Sequence, residues 1–155
     1  MLAVLPDLRA FARFLVRDRT AADDLVQDTV VRALGALPQF RPGTNLKAWL
    51  FTILRNLFFE QTRRRRREAA ALSAHVPTEE IVRPDQDDAS HVRDLDRMLW
   101  ALPPLLREAL VLVGAQELSY EEAALICCVP VGTMKARVSR ARVQLAQILM
   151  PAAPE

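Results

Sequence analysis

The chain has 155 residues, 51% of them hydrophobic and 26% charged, with a formal net charge of +2. That length fits one medium domain or two small ones, and the apolar fraction excludes a chain disordered throughout. The small net charge hides a pattern: residues 1–68 hold 13 Lys+Arg against 7 Asp+Glu, residues 69–98 hold 3 against 7, and residues 99–155 hold 5 against 5 with Lys135, Arg137, Arg140 and Arg142 close together. Basic stretches flanking an acidic middle point to one polyanionic partner touched at two places.

Helical spacing dominates from the first residues, with almost no period-two alternation and no hairpin signal. "LPDLRAFARFLVRD" places Leu8, Phe11 and Leu15 on one face. "TAADDLVQDTVVRALGAL" follows, with Thr20 placed to cap it and Pro38 to stop it. Its residues Leu25, Val26, Thr29, Val30 and Ala33 face one way, and Asp24, Gln27, Asp28 and Val31 the other. An acidic edge of this kind suits a protein partner with a basic surface. The loop "QFRPGTN" carries a Pro42-Gly43 turn signal, and Asn45 is a cap for a long helix over about 46–67.

That helix opens with the apolar stripe Leu46, Trp49, Leu50, Ile53, Leu54 and Leu57, and it ends in five arginines, Arg63, Arg64, Arg65, Arg66 and Arg67. On its far side the spacing sets Phe51, Arg55, Phe59 and Arg66, an aromatic and basic combination that suits single-stranded bases and phosphates. Periodicity then lapses over 69–91, where Pro77, Pro84 and a run of acids read as a flexible tether.

From Val92 the helical pattern resumes: "VRDLDRMLWAL" up to Pro103-Pro104, then "PLLREALVLVGA", then "SYEEAALICC" with a Ser119/Glu122 capping box and Leu118 placed as a staple. A break at Val129-Pro130 leads into "VGTMKARVSRARVQLAQIL". A short helix, a tight break and a longer helix make the helix-turn-helix layout. In the last helix Val131, Met134, Val138, Ala141 and Leu145 form the core stripe, and Gly132, Thr133, Ala136, Ser139 and Arg140 face outward, framed by Lys135, Arg137 and Arg142. Small residues let a helix sink into the major groove, where Arg pairs with guanine and Lys holds phosphate. No acid occurs from 130 to 149, unlike an ordinary solvated face.

The expected fold is all-α: two small helical domains joined by a flexible linker. Cys127 and Cys128 are adjacent and read as small buried hydrophobes rather than a disulfide or metal pair. No stretch reaches the roughly 18 uncharged apolar residues of a membrane span, and the first residues lack a basic n-region, so a cytoplasmic protein without membrane contact is expected. There is no Ser/His/Asp set, no paired-carboxylate pattern and no phosphate-cradling Gly loop. An enzyme is not expected, nor is a metal or any other cofactor.

Three stretches in order, "DDLVQDTVVRAL", "FRPGTNLKAWLFTILRN" and "LSYEEAALICCVPVGTMKARVSRAR", resemble the extracytoplasmic-function (ECF) sigma factors of the sigma-70 family, above all the EcfG branch that runs the general stress response of alphaproteobacteria. The resemblance implies sigma region 2 in residues 1–68, a linker over 69–91 and region 4 in residues 92–150. It implies RNA polymerase core as a partner, through its β′ clamp helices and β flap. Asp24, Gln27 and Asp28 would bind those clamp helices. The loop from Phe40 to Asn45 would capture a flipped base of the promoter −10 element, and Lys47, Trp49, Arg55, Asn56, Arg63 and Arg64 would guide the melted strand and the adjoining duplex. Lys135, Arg137, Ser139 and Arg140 would read the −35 element. An anti-sigma factor, a small soluble one of the NepR type, is the other implied partner. A sigma-like decoy that binds the anti-sigma but not DNA is the rival reading, and the retained basic residues argue against it. One departure stands out: Cys128 occupies the break of the helix-turn-helix where many relatives have Gly.

Overall fold

The computed structural model describes residues 2–72 and 90–150, the side chains of 90–93 excepted. It is all-α, with no strand among the described residues, and its helices form two compact units, α1–α3 and α4–α7. Of the expected tether over 69–91, residues 73–89 lie outside the described residues.

In the first unit, α1 (Leu5–Leu15) starts with Pro6 in its first turn, where a missing N–H costs nothing. α2 (Arg19–Gly35) is capped by Asp18, whose carboxylate accepts from the Ala21 N–H at 3.3 Å. The cap is thus two residues earlier than Thr20, which lies inside the helix. Pro38 falls in a short 3-10 turn, Leu37–Gln39. α3 (Leu46–Ala71) is capped by Asn45 as expected, its side-chain oxygen accepting from the Ala48 N–H at 3.3 Å, but it runs about a turn beyond Arg67.

These three helices close around Leu8 and Phe11 of α1, Leu25 and Val26 of α2, and Leu50, Phe51, Leu54 and Leu57 of α3. Phe51 was expected on the outer side of α3. It is instead 0% exposed and stacked on Phe11, centroids 4.7 Å apart and planes 14° from parallel. α3 is covered by two helices, so its buried arc is wider than one stripe, and α1 takes the Phe51 side. Leu46, Trp49 and Ile53 are only half-buried, at the margin of that arc. Thr29, buried within α2, satisfies its hydroxyl by donating to the Leu25 carbonyl at 2.7 Å.

From Phe58 to the end of α3 no residue is buried. The front half of the helix is anchored in the core, and the back half carries the arginines out as a solvent-exposed extension.

In the second unit, α4 (Ser90–Trp100) precedes α5 (Pro104–Leu110), which passes into a π turn, Val111–Ala115. α6 (Tyr120–Cys127) begins with the expected capping box: the Ser119 hydroxyl accepts from the Glu122 N–H at 3.0 Å, and the Glu122 carboxylate accepts from the Ser119 N–H at 3.1 Å. α7 (Val131–Leu149) starts directly after Pro130.

Between α6 and α7, Cys128 sits at φ 56° and ψ 45°, in the left-handed region. The Val129 N–H reaches the Ala124 carbonyl at 3.1 Å, and the Cys128 N–H reaches the Leu125 carbonyl at 3.3 Å. That pair of bonds is a Schellman stop, with cysteine where glycine is usual. Only one cysteine follows the expectation of burial. Cys127 is buried and its thiol donates to the buried Glu108 carboxylate at 2.7 Å, whereas Cys128, at the left-handed stop, is exposed.

Candidate nucleic-acid interface

The loop ahead of α3 is built by its own sequence. Gly43 has φ +90°, and the Thr44 N–H reaches the Arg41 carbonyl at 3.3 Å, so Arg41-Pro42-Gly43-Thr44 forms a turn with Pro second and a left-handed Gly third. The Thr44 hydroxyl donates to the same carbonyl at 2.7 Å. This folding back sets Phe40 against Trp49, ring centroids 5.1 Å apart and planes tilted by 47°. Both are half-buried, so each ring keeps an open edge.

Further along α3, the Arg55 guanidinium lies 4.5 Å from the centre of the Phe59 ring, and Phe58 meets Phe59 edge-on at 5.2 Å. Arg55, Phe59, Arg63 and Arg66 recur at helical spacing on the side of α3 away from its core. Asn56 is exposed nearby. The aromatic and basic surface expected from the sequence thus exists without Phe51. Arg64 is exposed and pairs with Glu68 at 3.4 Å, one turn on. Lys47 lies on the α1 side of α3, with Nζ 3.5 Å from the Asp7 carboxylate and 5.8 Å from the Phe51 ring centre. Asn45 spends its side-chain oxygen on the helix cap.

Across the first unit, Asp24, Gln27 and Asp28 are all exposed on α2. The same face continues into exposed apolar side chains, Val31 at 65% and Leu34 at 56%. Two ties cross from α2 to α3: Gln61 Nε2 donates to Asp28 Oδ2 at 3.2 Å, and Arg32 Nη1 meets Glu60 Oε2 at 3.1 Å. Neither tie was foreseen, because periodicity assigns faces within one helix and not the partner residue on the next.

In the second unit, Met134, Val138 and Ala141 of α7 are buried, with Val131 and Leu145 at the edges of that stripe. The opposite side of α7 and the start of α5 enclose an open groove of about 550 Å³ lined by Pro103, Leu105, Leu106, Gly132, Thr133, Ala136, Arg137 and Arg140. Arg137 and Arg140 are therefore brought together at the groove. Lys135 is exposed beside it, with Nζ 5.8 Å from the Tyr120 ring centre, and Ser139 is exposed but does not line the groove. Thr133 and Ala136 line the groove where the sequence reading placed only outward-facing small residues, and the wall from α5 was not anticipated.

A groove lined by apolar and small residues together with two guanidinium groups suits base edges and phosphates. The α3 surface, with aromatic faces interleaved with arginine, matches unpaired bases on a backbone. Among the described residues there is no His/Cys/Asp/Glu group that could hold a metal ion, and no helix is long and apolar enough to cross a membrane.

Comparison with known proteins agrees with these surfaces. The model of sigma-70 region 2 matches residues 1–68, and that of sigma-70 region 4 matches residues 93–145. The ECF RNA polymerase sigma factor EcfG of Rhodopseudomonas palustris (strain TIE-1) is 48% identical over 149 residues, covering 96% of this chain and 82% of that protein. Among solved structures, the sigma factor RpoE of Bartonella quintana, in complex with the anti-sigma factor NepR, superposes with a TM-score of 0.83 at 46% identity, over 98% of this chain and 95% of that one. CnrH in complex with the cytosolic domain of CnrY gives a TM-score of 0.70 at 29% identity, over 98% and 86%.

Proposed function

This chain belongs to the sigma-70 family and is an RNA polymerase sigma factor of the ECF type, and we propose that it divides the work between two surfaces of its first unit and one of its second. Residues 1–68 act as region 2, residues 92–150 as region 4, and 69–91 as the link. Asp24, Gln27 and Asp28 on α2 take up the β′ clamp helices of core polymerase. The Phe40–Trp49 pair receives an unstacked −10 base, and Lys47, Arg55, Asn56, Arg63 and Arg64 hold the strand and the neighbouring duplex, with Asn45 fixing the loop to the helix. In region 4, Lys135, Arg137, Ser139 and Arg140 engage the −35 element, and region 4 also meets the β flap.

The observation that supports this most is the placement on one helix, α3, of Trp49, which meets Phe40 of the preceding loop, and of the Arg55–Phe59 pair. Extruding a base costs a few kcal/mol, and a receptor that itself moved would add its own ordering cost. α3 avoids that cost because its front half is pinned by Leu50, Phe51, Leu54 and Leu57. The protein does no bond chemistry on this reading. It supplies binding energy to an already melting duplex and leaves synthesis to the polymerase, in the cytoplasm. The likeness to EcfG supports a role in stress-response transcription, and the likeness to RpoE supports control by a small soluble anti-sigma factor of the NepR type.

Run-off transcription tests the reading. Core polymerase is supplied with this protein on a double-stranded promoter library at two salt concentrations. Transcripts from a subset that shares two spaced motifs are expected, with a steep decline at higher salt as released counterions lose their advantage. Binding to core without any transcript would overturn it.

A further inference from the structure

We propose that Gln61, on the helix that faces DNA, is a positioning residue for polymerase binding because it holds the carboxylate of Asp28 in place without neutralising it. The proposal rests on the reading of Asp28 as a polymerase contact.

The reasoning begins with Arg32. An Asp and an Arg four residues apart on one helix are natural partners, so Arg32 is the cation best placed to pair with Asp28. Such a pair would cancel the charge that α2 is read as offering to a basic surface. In the structure Arg32 turns across to α3 instead, its Nη1 3.1 Å from Glu60 Oε2. The next residue, Gln61, donates its amide to Asp28 Oδ2 at 3.2 Å.

The two neighbours on α3 thus do complementary things. Glu60 draws the competing cation away, and Gln61 fixes the carboxylate with a neutral donor. An amide limits the Asp28 rotamers while leaving the full negative charge on the carboxylate, which a Lys or Arg at position 61 would not do. Pre-ordering an exposed side chain lowers the entropy lost on association. The same device ties the polymerase-facing helix to the helix carrying Arg55, Phe59 and Arg63, so the two surfaces of the unit are registered by polar contacts beyond the shared core.

A double-mutant cycle on core-polymerase affinity, read by fluorescence anisotropy of labelled full-length protein, tests this with Gln61→Ala, Asp28→Ala and the double variant, each checked for its thermal midpoint. Gln61→Ala is expected to weaken core binding about threefold when Asp28 is present and to have no effect when Asp28 is Ala. Glu60→Gln, which releases Arg32 towards Asp28, is expected to weaken binding similarly, and not when Arg32 is also replaced by Ala. If Gln61→Ala costs the same in both backgrounds, or nothing in either while Asp28→Ala weakens binding, Gln61 is not a positioning residue. If Asp28→Ala leaves core affinity unchanged, the parent reading of Asp28 falls and the proposal with it.

Discussion

Phe40, five residues before the cap of α3, and Trp49, in the first turns of that helix, stand with ring centroids 5.1 Å apart and planes tilted by 47°. Neither ring is in the core, and their contact depends on the Pro42-Gly43 turn that folds the loop back. An aromatic pair of this geometry adds about 0.5–1.5 kcal/mol beyond its burial. On the proposed reading its larger use is as a wall for an unstacked base, where loss of an aromatic face costs about 1–3 kcal/mol. Phe40→Ala is expected to lower affinity for a single-stranded −10 oligonucleotide about tenfold or more, with double-stranded −35 binding unchanged. Trp49→Ala should do the same and also lower the thermal midpoint, since Trp49 borders the buried stripe. Equal losses on both oligonucleotides would show that the pair supports the fold alone.

Phe51 and Phe59 are two turns apart on α3 and separate cleanly into core and surface. Phe51 is fully buried against Phe11, whereas Phe59 is 36% exposed under Arg55. Phe51→Ala should destabilise the first unit by about 3–5 kcal/mol, the usual range for a buried aromatic cut to Ala. Phe59→Ala should leave the thermal midpoint nearly unchanged and weaken single-strand binding instead. Thermal melts with a single-stranded binding assay separate the two, and a stability loss from Phe59→Ala matching that of Phe51→Ala would refute the division.

The misplacement of Phe51 marks how far the sequence could be read. The spacing of Leu50, Leu54 and Leu57 announces one helix face, and the Asn45 cap, the Pro42-Gly43 turn and the Ser119/Glu122 box all follow from local chemistry, whereas the left-handed Cys128 was signalled only by the resemblance, since many relatives have Gly there. Periodicity does not say how many neighbours a helix has. α3 packs against both α1 and α2, so an aromatic outside the leucine stripe is still buried. The cap of α2 was misplaced for a related reason. Asp18 and Thr20 are both good capping residues, and only the backbone geometry, extended at Asp18, selects between them. The outward face of α7 was legible from that helix alone, but its groove needed the start of α5, a relation between helices that no single pattern contains.

Lys47 is expected to hold phosphate, yet its Nζ is 3.5 Å from the Asp7 carboxylate on α1. The pair is partly exposed, with side chains 23% and 44% accessible, so it contributes little to stability, about 0–1 kcal/mol. On the proposed reading it competes with DNA, because a carboxylate and a phosphate cannot both be the nearest anion to one ammonium. Asp7→Asn should therefore leave the thermal midpoint within error and tighten binding of single-stranded DNA by about two- to fivefold. The slope of log affinity against log salt should steepen by up to about 0.7, one further phosphate contact. Lys47→Ala added to Asp7→Asn should abolish the gain. A gain that survives that second change would mean that Asp7 acts through the general field and not through Lys47.

Cys128 stops α6 in a left-handed conformation, φ 56°, at the tightest point of the helix-turn-helix. For a residue with a Cβ that conformation costs about 1–2 kcal/mol. Glycine removes the clash but gives back about 0.4–1 kcal/mol through the wider freedom of the unfolded chain. Cys128→Gly should therefore stabilise the second unit by about 0.5–1 kcal/mol, which for a unit of this size raises its thermal midpoint by about 4 °C. Both Schellman bonds involve main-chain groups, so the turn should keep its shape and affinity for a −35 duplex should be unchanged. Cys128→Ala is the control. Alanine keeps the Cβ and loses only the thiol, whose nearest acceptor, the Leu125 carbonyl, is 3.9 Å away, so its melting should match the parent protein. Cys128→Val, β-branched at positive φ, should melt earlier. If alanine stabilises as much as glycine, the cost at this position lies in the exposed thiol and not in the backbone.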